Sequence, residues 1–167
     1  MGGKDPARKS DLVLQLRGGQ GRRIRPLRGV PSTMKIRVVS SRDEIDQLDP
    51  NERVIHLTIP PVALVLLELI KRCPRLEAVE VPPSRINNVS KPSQCLLKVQ
   101  GVKIFEGLVW GHRTDMYAYY TVDEGVIIRR AAEHRAEGLD SEEIVAKVAG
   151  EAKVSPGLVG FILERTR

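Results

Sequence analysis

Residues 140–167 read DSEEIVAKVAGEAKVSPGLVGFILERTR, two short helices in series. Asp140 or Ser141 supplies an N-cap oxygen, and Glu142 and Glu143 put negative charge at the positive end of the helix dipole. Ile144, Val145, Val148 and Ala149 recur at helical spacing, with Gly150 as the expected break. Ser155 caps a last helix that starts with Pro156 and carries Leu158, Val159, Ile162 and Leu163 on one face. The order Ala146, Gly150, Val154, Ser155, Val159 follows a common helix-turn-helix pattern, with Glu151, Ala152 and Lys153 inserted before the valine.

Chemistry argues against this unit reading DNA. A recognition helix offers Arg, Lys, Asn or Gln near its N-terminus to base edges, whereas this one begins Pro156, Gly157, Leu158, Val159, Gly160, Phe161. Residues 123–167 hold seven basic and nine acidic side chains, the wrong balance for a phosphate-tracking face. The expectation is a helical helix-turn-helix-like subdomain over 123–167 whose last helix packs into the core or against a partner. Leu158, Phe161 and Ile162 are the candidate partner contacts, to another protein or to a second copy of the chain.

The chain's formal net charge of +6 lies entirely upstream. Residues 1–33 carry eight basic groups against two acidic ones, and 34–167 carry nineteen of each. This Gly- and Pro-containing tail has one short apolar run, 12–16, too little to offset the entropy of ordering it. It reads as a basic disordered extension. Arg17, Arg22, Arg23, Arg25 and Arg28 are candidate phosphate contacts for nucleic acid. The alternatives are an inert extension or a start codon chosen too far upstream, the last favoured by Met34 standing directly before an apolar strand.

Between tail and helices, residues 34–122 alternate short β-rich and helical runs: strands at 36–39, 53–59, 76–81 and 102–109, helices at 42–48, 61–72 and 93–100. That alternation predicts an α/β domain with a small four-stranded, mostly parallel sheet and crossover helices. Leu76, Val79, Val81 and Asn87 touch a leucine-rich-repeat consensus, but no second copy follows, so a solenoid is not expected. Ligands of parallel sheets bind beyond the strands' carboxyl ends. The loops there supply Arg42, Ser84, Arg85, Asn87, His112, Arg113 and Asp115, a set able to hold an anion with Asp115 orienting His112. The neighbouring Trp110, Tyr117, Tyr119 and Tyr120 serve equally well as core closure.

Several classes find no support. No strained Gly-x-Ser-x-Gly elbow, Gly-rich phosphate loop or paired-carboxylate motif is present, so no catalytic residue is assigned and no cofactor is implied. Cys73 and Cys95 lack metal-ligand spacing and read as two buried thiols in a reducing cytoplasm; no metal site is expected. The longest apolar run falls short of the roughly 20 residues that span a bilayer, so no membrane partner is expected.

The run 34–39, Trp110-Gly111-His112-Arg113, Tyr119-Tyr120-Thr121-Val122 and the terminal helices together resemble a family of small uncharacterised proteins from methanogenic archaea, known as a domain of unknown function. The resemblance covers about 34–167 and excludes the basic tail. It implies a cytoplasmic archaeal protein and brings no activity, cofactor or catalytic residue. The favoured function is therefore a non-catalytic regulatory or adaptor protein acting through its helical module. A nucleic-acid-binding regulator is the second reading, and a small-molecule sensor or enzyme at the strand-end loops the third.

Overall fold

The computed structural model describes residues 33–108 and 118–167. Five strands make one sheet: β1 Thr33–Val39, β2 Val54–Leu57, β3 Ala78–Val81, β4 Lys103–Glu106 and β5 Tyr119–Asp123, in the order β4-β3-β2-β1-β5. β1 to β4 are mutually parallel, and β5 runs antiparallel along the outer edge of β1. The α/β class and the parallel core agree with the sequence pattern. The fifth strand extends the expected four. Its signal was the alternation of Tyr119, Tyr120, Thr121 and Val122, which read as core-closing aromatics because no further crossover helix precedes it.

Side chains alternate across the strands and divide the interior in two. On one face Val39, Ile55, Leu57, Val79 and Val81 meet Leu66 and Leu69 of α1 (Ala63–Arg72) and Leu97 of α3 (Lys91–Val99). Pro74 stops α1 just after its Cys73 cap, and Ser90 caps α3 by accepting the Ser93 N–H at 3.2 Å. The short α2 (Pro83–Ile86) follows β3, and the expected helix over 42–48 shrinks to a 3-10 turn at Ile45–Gln47. Cys73 is buried, its thiol pushed up to about 11 by burial, whereas Cys95 is exposed, contrary to the expectation of two buried thiols.

The other face is covered by α4 (Glu124–Ala136), α5 (Ser141–Ala152) and α6 (Pro156–Arg165). Met34, Ile36, Val38, Val54, Ala78, Tyr120 and Val122 project into a cluster with Ile127, Ile144, Val148, Leu158 and Ile162. Consecutive parallel strands lie side by side in chain order: Arg37 pairs with Ile55, Val54 with Ala78 and Ala78 with Lys103, offsets of 18, 24 and 25 residues. This is the strand order of a solenoid, built from unequal turns, which is why no repeat shows in the sequence. Among the described residues no helix is long and apolar enough to cross a membrane.

Candidate functional site: the helical module and the polar network beneath it

The helix boundaries follow from local chemistry. Asp140 forms a capping box with Glu143: its Oδ1 accepts the Glu143 N–H at 2.9 Å, and Glu143 Oε2 accepts the Asp140 N–H at 3.1 Å. Gly150 does not end α5 as expected. The helix runs on to Ala152, and Lys153 turns the chain in the left-handed region with φ 54°. The Lys153 and Val154 N–H groups both donate to the Ala149 carbonyl, which offsets the left-handed strain. The three residues that interrupt the helix-turn-helix pattern are thus the last turn of α5 and its cap. Ser155 then accepts the Leu158 N–H at 3.2 Å as the cap of α6.

α4 is tied to α5 through His134, buried between Glu137 and Glu151 at 3.0 Å from each. The Glu137 hydrogen bond, opposed by desolvation and aided by Glu151, holds the imidazole above its ordinary value. α6 closes the module with its apolar face inward. Leu158, Phe161 and Ile162 are 1, 6 and 0 % exposed, so the residues expected to meet a partner are spent in the chain's own core. An apolar helical stripe has the same pattern whether a partner or a neighbouring sheet covers it.

Beneath α6 the sheet is not wholly apolar. His56 on β2 and Glu80 on β3 are 2 and 1 % exposed and point toward the helices. Glu80 Oε2 lies 2.7 Å from His56 Nδ1 and accepts the Tyr120 hydroxyl, while Glu80 Oε1 accepts the Ser155 hydroxyl at 3.0 Å. Burial, then the Glu80 charge, push the Tyr120 phenol far above its usual range, so it stays a donor. Ser155 therefore caps α6 with its oxygen and fastens it to β3 with its hydrogen. A Cβ on Gly157 would stand 2.8 Å from Phe105 Cβ, so the first turn of α6 rests directly on β4. At the far end Arg165 reaches Glu124 Oε1 at 3.0 Å and Glu77 Oε2 at 3.1 Å. None of His56, Glu80 or Glu124 stood out in sequence. The available signal was a polar residue inside the apolar runs VIHL and AVEV.

Four of the carboxyl-edge candidates, Arg42, Ser84, Arg85 and Asn87, lie among the described residues. The loops after β1 to β4 share one edge, as parallel pairing requires. Arg42, however, is taken up by Glu68 of α1, with Nη2 to Oε1 at 2.6 Å and Nε to Oε2 at 3.2 Å. Ser84 and Arg85 lie in α2 and Asn87 caps it, beyond a strand two places from β1, roughly 10 Å away. His112, Arg113 and Asp115 lie outside the described residues, as do the tail arginines Arg17, Arg22, Arg23, Arg25 and Arg28. Among the described residues no group of three His, Cys, Asp or Glu side chains could hold a metal.

No curated protein and no solved structure matches the chain. Two family models do: residues 35–118 match the N-terminal domain of a family of unknown function, DUF1699, and residues 126–164 match its C-terminal HTH domain. The second match spans α4 to α6 and agrees with their helix-turn-helix order. With sheet and helical module matched in sequence by the two halves of one family, the chain belongs to DUF1699, proteins of unknown function that end in a helix-turn-helix domain.

Proposed function

We propose that the protein is a non-catalytic regulatory or adaptor protein that acts through protein contacts of its helical module, and that α6 does not read duplex DNA while seated on the sheet. The observation that carries this is the placement of the first turn of α6. The segment that would enter a major groove is held by Ser155 on Glu80 and by Gly157 against Phe105. The exposed surface of α5, α6 and their ends carries Glu142, Glu143, Glu151 and Glu164 against Lys147, Lys153 and Arg167, so it offers phosphate no net basic face. An archaeal, cytoplasmic setting belongs to the same proposal and rests on the sequence resemblance.

The second reading, a nucleic-acid-binding regulator, is favoured by the HTH description of the C-terminal match. Binding of the full chain to duplex DNA and single-stranded RNA over a salt series separates the two, run beside a variant with all eight basic residues of the tail, Lys4, Arg8, Lys9, Arg17, Arg22, Arg23, Arg25 and Arg28, changed to alanine. The adaptor reading expects no salt-sensitive binding by the variant. Binding that survives these substitutions and weakens with salt places nucleic-acid affinity in the folded part of the chain and overturns it.

A further inference from the structure

Ligand sites in parallel sheets are sought at the carboxyl edge, yet a cleft opens at the opposite one. It has a volume of about 430 Å3 and lies where β1 and β2 begin, β5 ends and α6 finishes. Its walls include Lys35, Glu52, Arg53, Tyr119, Glu124 and Arg165.

Glu124 is the informative member. It occupies the first turn of α4, is 2 % exposed, and gives Oε1 to Arg165. Its other oxygen, Oε2, is buried and has no hydrogen-bond partner. A buried carboxylate oxygen without a donor is costly, and such orphans in folded proteins mark places where a missing group belongs. Burial also raises the Glu124 carboxyl above its ordinary value, opposed by Arg165, so the site gains from an added positive donor. Glu52, 7 % exposed and holding the Tyr119 hydroxyl, is a second carboxylate of the cleft raised by burial.

The cleft's cations are used unequally. Arg53 and Arg165 share Glu77, at 2.5 and 3.1 Å, and Arg165 also serves Glu124. The Lys35 side chain, exposed on β1, makes no direct hydrogen bond or ion pair among the described residues, and its charge acts on nearby Glu52. Glu124 thus lacks a donor, and the Lys35 ammonium has no direct partner among the described residues. A metal ion would meet only part of this, since Lys35 and the two arginines repel it. An inorganic anion would satisfy Lys35 and leave Glu124 as it is.

We propose that this cleft binds a small zwitterion, a free α-amino acid, with its ammonium directed to Glu124 and its carboxylate to Lys35. A cleft of about 430 Å3 is at the lower end of small-molecule pocket sizes, which suits a ligand as small as a free amino acid. Binding there would join the start of α4, the end of α6 and the first residues of β1, and so stiffen the attachment of the helical module.

The test uses the full chain and the twenty standard L-amino acids singly at millimolar concentration, with ethylamine, acetate and magnesium chloride as part-ligands, read by thermal unfolding and calorimetry. At least one amino acid is expected to raise the melting temperature by about 2–4 °C while the part-ligands do not. Lys35→Ala, at an exposed position that keeps the fold, and Glu124→Gln are each expected to weaken that amino acid about tenfold. Stabilisation by none of the twenty, equal stabilisation by ethylamine, acetate or magnesium alone, or undiminished binding in Lys35→Ala overturns the proposal.

Discussion

The two faces of the sheet are packed by different rules. The face under α1 and α3 is closed by Leu57, Leu66, Leu69, Val79 and Leu97, with the Cys73 thiol and the Ser93 hydroxyl as its small buried polar groups and no buried ion pair between sheet and helices. The face under α4 to α6 buries a comparable cluster but sets His56, Glu80 and Tyr120 within it, with Glu124 at its margin. Helices on the first face are crossovers between neighbouring strands, so connectivity already restricts where they lie. The helical module follows β5 as three consecutive helices rather than as a crossover between adjacent strands. Apolar contact is non-directional and would accept several seatings. A carboxylate that must meet one histidine, one tyrosine and one cap serine accepts few, a use of buried polar groups that is attested for register and orientation.

That contrast predicts an order of effects. The largest is expected for Glu80→Ala, which leaves His56, Tyr120 and Ser155 without their common acceptor; urea denaturation should show a loss of about 3–5 kcal/mol. Leu66→Ala on the apolar face removes a fully buried side chain and should cost about 2–5 kcal/mol, with no selective effect on the module. If amide exchange in α6 rises as much in Leu66→Ala as in Glu80→Ala, the two faces are not held by different means.

Gly157→Ala should cost about 1–3 kcal/mol by driving a methyl into Phe105, and its effect should be relieved by Phe105→Leu. Ser155→Ala removes a helix cap, worth about 1 kcal/mol, and should expose the first turn of α6 to exchange ahead of global unfolding. The smallest effect is a pH dependence. The folded value of His134 is raised by Glu137 and Glu151, so its contribution is complete below the ordinary histidine value of about 6.5 and is lost as pH rises through the elevated one. His134→Gln should flatten the melting temperature across that interval, and an unchanged pH profile would remove His134 from the α4–α5 contact.

Much of this architecture was legible because its causes are local. Asp140, Ser155 and Pro156 announce helix starts by chemistry that acts within four residues, and the apolar runs of β1 to β3 announce buried strands. What escaped depends on the far side of a contact. Gly150 looked like a helix end because a helix-interior glycine costs about 1 kcal/mol, yet packing of Val148 and Ala149 carries the helix past it. Leu158, Phe161 and Ile162 were correctly read as apolar and directed away from solvent, and only the tertiary structure names the sheet as what they meet. Glu80 was invisible for the same reason, since nothing near it in the chain says that His56, Tyr120 and Ser155 converge there.

The unequal turns of the strand array have a mechanical consequence. On the crossover face each strand and its helix lean only on adjacent turns, an arrangement that in isolation frays from its ends as a stack of loosely joined plates. The helical module crosses those turns, touching β1 through Ile36 and β4 through Phe105, and is riveted midway at Glu80. It acts as a splint. Lifting it would release the array to open one turn at a time, and leaving it in place obliges all four parallel strands to melt together.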